Sequence, residues 1–332
     1  MSQLDYAEIM QRAAGYLARQ VQQDGSFVYI RSRKGEVLEK RYNMLRHCGS
    51  VWAMAGVQKI LPDTELSEAI ARAAGYMRAN TVVCQSPEAD GDMLQILDHS
   101  FAKLGGNALA YLAFDESGLM EPALKQGLLN GLKFFLTEDA ACRFYKFNPY
   151  TGQITDLVSE YYPGEAALAF CVAGEFALAE KLIRTLKVTR DKDKVLQDHW
   201  LMQALERLLQ YSRTLPLPQA QELQQFILQY YRDIYTQIDS DRYYWGRNTP
   251  MACRAEGLLS YIAVLHSVGD VAGYIKVRSL LDQIMLQLAA FQASGGIVDG
   301  AFLDLKKARI DYTQHSLSSF LRYYQHQQSG IL

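Results

Sequence analysis

The sequence holds little of what would mark a membrane, a phosphate polymer or a bound nucleotide. No window approaches the roughly 18 uninterrupted apolar residues that a bilayer crossing needs. The opening MSQLDYAEIM has neither the basic n-region nor the apolar h-region of a secretory signal. Together these gaps predict a cytoplasmic protein with no membrane partner. No run of five like charges occurs and the formal net charge is -2, so there is no electrostatic case for nucleic acid. Neither a Walker string nor a G-x-G-x-x-G fingerprint is present, and no nucleotide cofactor is implied. The five cysteines, Cys48, Cys84, Cys142, Cys171 and Cys253, are scattered and never in C-x-x-C spacing. That pattern fits reduced thiols better than a disulfide framework.

What is present is helical periodicity along most of the 332 residues, with 49% hydrophobic and 21% charged content. Apolar stripes and breakers predict six helical pairs: 4–22 with 42–60, 65–80 with 105–114, 119–137 with 163–173, 175–187 with 195–212, 217–236 with 251–268, and 270–293 with 312–327. First members such as AEIMQRAAGYLARQVQ are amphipathic and belong outside. Second members such as GSVWAMAGVQ, GGNALAYLAF and AEGLLSYIAVL are apolar nearly all round and rich in small residues, which suits burial and close packing.

Connections are lopsided as well. Steps from inner to outer helices are short (LPD, DESG, AGE, TLPLP, SVGD), whereas most outer-to-inner steps are long. GSFVYIRSRKGEVLEK and CRFYKFNPYTGQITDLV place β-prone residues on both sides of a glycine turn, predicting β-hairpins within those long loops. The recurring unit of outer helix, loop and inner helix is an internal repeat. It predicts an all-α chain, a single (α/α)6 barrel domain over 1–332, with short β-hairpins at one end.

This hairpin repeat, with the QQDGSF loop at residues 22–27, resembles the six-hairpin toroids. These are glycoside hydrolases, unsaturated glucuronyl hydrolases and N-acylglucosamine 2-epimerases, with related terpenoid-cyclase and lanthionine-cyclase toroids. The resemblance implies a carbohydrate-active enzyme that acts on a small anionic or amino sugar or an oligosaccharide, and in the 2-epimerases histidines and arginine move and steady the charge. The terpenoid-cyclase D-x-D-D string is missing, and no Cys-His pair occurs in the lanthionine-cyclase order. No metal or other cofactor is therefore expected, a zinc site around Cys48 with distant histidines being the one alternative.

If the inner helices run in parallel, their N-termini gather partial positive charge and unpaired N–H groups at the end bearing the long loops. Candidate residues at that rim are Arg46, His47, Asn107, Tyr161, Tyr162, Glu165, Asp198, His199, Trp200, Arg254, Glu256, Tyr312 and His315, with Trp245 and Tyr243 among aromatics able to stack on a sugar. Glu165, Asp198, His199, Glu256 and His315 are the acid/base candidates. In a hydrolase, Glu165 would pair with Asp198 or Glu256. In an epimerase, His199 and His315 would exchange a proton beside a carbonyl while Arg46 or Arg254 steadies negative charge. Arg46 needs a carboxylate partner, with Glu165 and Glu256 as candidates. Asp311 and Gln314 stand at capping-box spacing, and Asp198 could be an N-cap. A non-catalytic module that binds a glycan or a peptide is the alternative from another class.

Overall fold

Short polar side chains set several helix starts. Asp5, Asn43, Asp63, Asp198 and Asp270 each accept a backbone N–H from the first turn that follows, satisfying donors that a helix leaves orphaned. Gly174 and Gly269 end two helices in the left-handed conformation, with φ of +85° and +74°. A computed structural model describes residues 4–38, 42–84, 91–190, 197–241 and 244–332.

Six of its helices form an inner ring: α2 (Met44–Ile60), α4 (Leu104–Glu116), α6 (Tyr162–Ala173), α8 (His199–Ser212), α10 (Asn248–Val268) and α12 (Ile310–Gln328). Each touches the next, and α12 returns to α2, so the ring closes. Around it lie α1 (Tyr6–Gln20), α3 (Thr64–Ala79), α5 (Pro122–Lys133), α7 (Phe176–Thr189), α9 (Leu217–Ser240) and α11 (Val271–Ala289). This is the (α/α)6 barrel that the repeat predicts. Composition explains the division. In α6 every residue from Pro163 to Cys171 is buried, whereas α7 buries only Ala179, Leu182, Ile183 and Leu186, one stripe of a helix whose other faces meet solvent.

Packing pairs the helices differently from sequence order. Among the inner helices, each of α3, α5, α7, α9 and α11 packs most on the one that precedes it, α5 lying also on the strand Met93–Asp98, and α1 closes the circle against α12. The short inner-to-outer loops enforce this, because a short connection leaves two antiparallel helices no choice but to be neighbours.

The strands all fall in outer-to-inner connections. β1 (Ile30–Ser32) pairs antiparallel with β6 (Lys307–Arg309), Ile30 opposite Arg309, tying the first long loop to the last. β2 (Thr81–Cys84), β3 (Met93–Asp98), β4 (Phe101–Lys103) and β5 (Lys146–Phe147) form a four-stranded antiparallel sheet. The two expected hairpins form as short ones, around the bridges Arg31 to Val37 and Phe147 to Ile154, with Ser32 N and Leu38 N donating to Glu36 O and Ile30 O in the first, and Asn148 N and Thr155 N to Gln153 O and Lys146 O in the second. Their strands pair also with strands from other loops, where longer ladders are available. No helix among the described residues is long and apolar enough to cross a membrane.

Candidate active site at the inner-helix N-termini

The N-terminal ends of the six inner helices, α4 through Leu109 alone, line a cavity of about 330 Å³, at the small end of ligand pockets. Of the predicted residues, Arg46, Tyr161, Tyr162, Glu165, His199, Trp200, Arg254 and His315 line it.

Its chemical centre is a cluster from three helices. His199 opens α8, Glu256 lies in the third turn of α10, and His315 lies in the second turn of α12. Glu256 is fully buried behind the cavity wall, and its Oε2 lies 2.9 Å from His315 Nδ1. His199 is 3% exposed, and neither ring nitrogen makes a hydrogen bond, although its Nε2 is 3.5 Å from Glu256 Oε2. The two imidazoles meet edge to face at 5.2 Å, with Trp200 4.8 Å from His199 and 6.0 Å from His315.

Their environments push the two histidines apart. Burial, then the charges of His315 and Arg254, hold His199 well below the ordinary histidine range, so its ring is neutral. Burial works against charge on His315 too, but Cys253 and Glu256 beside it prevail and hold its pKa well above that range.

Glu165, in the first turn of α6, is 3% exposed and its Oε2 has no hydrogen-bond partner. Burial and the neighbouring Asp198 push its carboxyl up to about 8, with His315 opposing. The fit is close: a Cβ on Gly105 would sit 2.0 Å from Glu165 Oε2, so α4 must carry glycine there. Asp198 is committed elsewhere. It caps α8 by accepting from Trp200 N and Leu201 N, and it pairs with Arg190 at 2.9 Å. Gly164 leaves room for that carboxylate, since a Cβ there would approach it to 2.4 Å. Asp198 is absent from the cavity wall, and the burial and bonding read it as a structural residue.

Arg46 reaches the cavity and finds its carboxylate, but the partner is Asp311, 3.0 Å from Nε, and not Glu165 or Glu256. Arg309 binds the same Asp311 at 2.5 and 2.8 Å, while Tyr29 accepts from Arg46 Nη1. Asp311 is thereby drawn into ion pairs. It makes no capping box with Gln314, and the cap position of α12 is Arg309, without a side-chain cap. Two guanidinium groups on one carboxylate leave an excess of positive charge beside the cavity, Arg46 on its wall and Arg309 behind it.

His47 points the other way. It is fully buried, its Nδ1 lies 2.7 Å from Tyr42 Oη and its Nε2 2.9 Å from Ala73 O, and its ring stacks on Tyr76 at 5.3 Å. It braces α2 to α3 and does not reach the cavity. Asn107 is equally spent, accepting from Ile96 N and donating to Lys103 O, which holds β3 and β4 to α4. Trp245 stacks on Tyr244 against the core, and Tyr312 packs under Arg309; neither lines the cavity. Arg254 binds Gln197 rather than Glu256. Tyr243 lies outside the described residues. Cys48 is buried in α2 and belongs to no cluster of metal-binding side chains among the described residues.

Asn43, Ser159, Thr249, Pro250 and Cys253 line the cavity although sequence reasoning passed over them. One signal was available for Cys253: it stands three residues before Glu256, on the same helical face.

No family model matches the sequence, and no curated protein matches it. Solved structures do. The fold is similar to a D-mannose isomerase at a TM-score of 0.63 and 12% identity, covering 96% of this chain and 97% of that one. It is similar to the cellobiose 2-epimerase of Spirochaeta thermophila at 0.64 and 12%, covering 97% and 96%. An unsaturated glucuronyl hydrolase specific for heparin matches at 0.63 and 11%, covering 97% and 98%. The chain thus has the (α/α)6 toroid architecture found in isomerases, epimerases and glycoside hydrolases that act on sugars.

Proposed function

We propose that this is a carbohydrate-active enzyme that moves a proton at a sugar carbon next to a carbonyl, an epimerase or isomerase, with His199 and His315 as the exchanging groups. One observation carries the reading: a buried cavity-wall histidine with both nitrogens unsatisfied faces a second histidine backed by a buried carboxylate. Unsatisfied buried polar atoms are costly in a fold, and a ligand that supplies the missing partners removes the cost. Glu256 orients His315 and stabilises its charged form, as a carboxylate does for a catalytic imidazole. Arg46, on the positively charged side, would steady the enolate formed when the carbon loses its proton. Tyr161, Tyr162 and Trp200 would pack against the ring of the sugar. The similarity to a D-mannose isomerase and a cellobiose 2-epimerase supports the substrate class.

Hydrolysis fits less well, because it needs two working carboxylates across the cavity. Glu165 is one, but Asp198 is bound to Arg190, Asp311 to two arginines, and Glu256 stands behind a histidine. A non-catalytic module would be expected to satisfy its buried groups internally, and His199 and Glu165 are not satisfied.

The test is solvent exchange. The protein is incubated in D2O with aldoses, ketoses, uronic acids and aminosugars, and label at carbon is read by NMR. Uptake without bond cleavage, lost in both His199→Gln and His315→Gln, is the expected result. Cleavage without uptake, or uptake that survives both substitutions, overturns it.

A further inference from the structure

We propose that His199, Cys253, Glu256 and His315 form a site for a divalent transition-metal ion, best suited to Zn2+, and that an ion bound there switches the enzyme off by taking both histidines out of proton transfer. The inhibitory half rests on the proton-transfer reading above; the ion-binding half does not.

The geometry carries the site. One ligand atom from each of the four residues lies within 4.8 Å of all the others. Zinc bonds of about 2.0 to 2.3 Å place tetrahedral donors roughly 3.5 Å apart, so side-chain movements of about 1 Å bring the set into register. Such movements are cheap here, because Glu256 Oε1 and both nitrogens of His199 are buried and bind nothing else. The backbone is well placed: Cys253 and Glu256 share one face of α10, and α8 and α12 bring one histidine each. His199, Cys253 and His315 all reach the cavity, which gives the ion a path in and out.

The donors also choose the ion. A thiolate and two imidazoles favour zinc or cobalt over magnesium or calcium, which prefer oxygen ligands. A bound ion takes Cys253 as the thiolate and His315 as the neutral ring, and any proton either group carries leaves to solvent. One thiolate, one carboxylate and two neutral rings then cancel the charge of a divalent ion, so the buried site carries no net charge. With both rings ligated, neither can accept or deliver a proton.

The test uses the full chain, stripped by a chelator and titrated with Co2+. One equivalent should produce tetrahedral d–d absorption and a near-ultraviolet thiolate-to-metal band, both removed by Zn2+. Cys253→Ser should lose the thiolate band and bind Zn2+ at least tenfold more weakly, with circular dichroism confirming the fold; Cys48→Ser should titrate like the parent. His199→Gln gives a second reading that does not depend on the thiol. Stoichiometric Zn2+ should suppress sugar-dependent deuterium uptake, and chelator should restore it. Binding weaker than about 1 mM, or a thiolate band that persists in Cys253→Ser, overturns the site. Zinc bound without loss of exchange overturns the inhibitory half. A cobalt band alongside no exchange on any sugar overturns the proton-transfer reading and leaves the ion site standing.

Discussion

Two histidines occupy equivalent places on opposite sides of the barrel and have opposite fates. His47 lies in the first turn of α2 and His199 in the first turn of α8, the first and fourth members of the closed ring. Both are buried, and each follows a charged residue, Arg46 or Asp198. His47 spends both nitrogens on Tyr42 and Ala73, whereas His199 spends neither. Burial alone thus says nothing about function; what distinguishes the two rings is whether the protein itself completes their hydrogen bonds. A satisfied ring stabilises the fold, and an unsatisfied one waits for a ligand.

The most direct way to break this contrast is to remove each ring in turn. His199→Gln should cut deuterium exchange by roughly 10²- to 10⁴-fold, the range expected when a general acid or base is lost, with the melting temperature unchanged or raised. His47→Ala should do the reverse. It opens a cavity beside Tyr76 and leaves the Tyr42 O–H without its acceptor, although Tyr42 Oη still accepts from Phe27 N, a loss of about 4 kcal/mol in urea unfolding, while the surviving folded molecules keep their exchange rate. Equal destabilisation by both substitutions would erase the distinction.

Glu165 allows a sharper comparison, because its buried carboxyl weakens the fold for the sake of the site. Unfolded, it ionises at the ordinary carboxyl value of 4.5; folded, at about 8. Its folded form therefore favours the proton. The native state is unpenalised below pH 4.5 and loses stability as pH rises toward 8, by about 3 kcal/mol at pH 7 from 1.36 kcal/mol per pKa unit. Glu165→Gln stays neutral and should be more stable than the parent by about that amount at pH 7, with the advantage vanishing near pH 4. His47 runs in the opposite direction. Burial lowers it from 6.5 to about 4, so its contribution is intact above pH 6.5 and is lost as acid approaches pH 4. Thermal melts across pH 4 to 8 of the parent and Glu165→Gln separate the two, and a flat difference between those melts would show that Glu165 is not protonated at neutral pH.

The sequence made the architecture legible because it is written in local terms. Inner and outer helices differ in how much of their circumference is apolar, and α6 against α7 shows that difference within a few residues of a short loop. The sheet was less legible, since β1 finds its partner in β6, near the far end of the chain, and no local pattern encodes such a pairing. The site was readable as a ring of polar helix starts but not as a set of roles. Arg46 and His47 are adjacent, yet one turns to the cavity and the other to the core, and the carboxylate answering Arg46 is Asp311 on α12. Cys253 was hidden by its chemistry: among the small apolar residues of α10 it reads as packing, and only the placement of His199 and His315 around it gives it a second meaning.

The smallest expected effect lies on that same pair of neighbours. Arg46 spans Asp311 with its Nε and Tyr29 with its Nη1, a fork that a lysine ammonium cannot reproduce. Arg309 also holds Asp311, so Arg46→Lys should leave the ion pairs of α12 largely in place and the melting temperature within a degree or two. What changes is the aim of the charge at the cavity. If Arg46 steadies the negative charge that develops on the sugar, kcat/KM for exchange should fall by about tenfold, near 1.4 kcal/mol, and the fall should appear in kcat, because that charge is absent from the bound ground state. A change confined to KM would instead make Arg46 a binding residue for a substrate that is already anionic, and it would direct the sugar panel toward uronic acids.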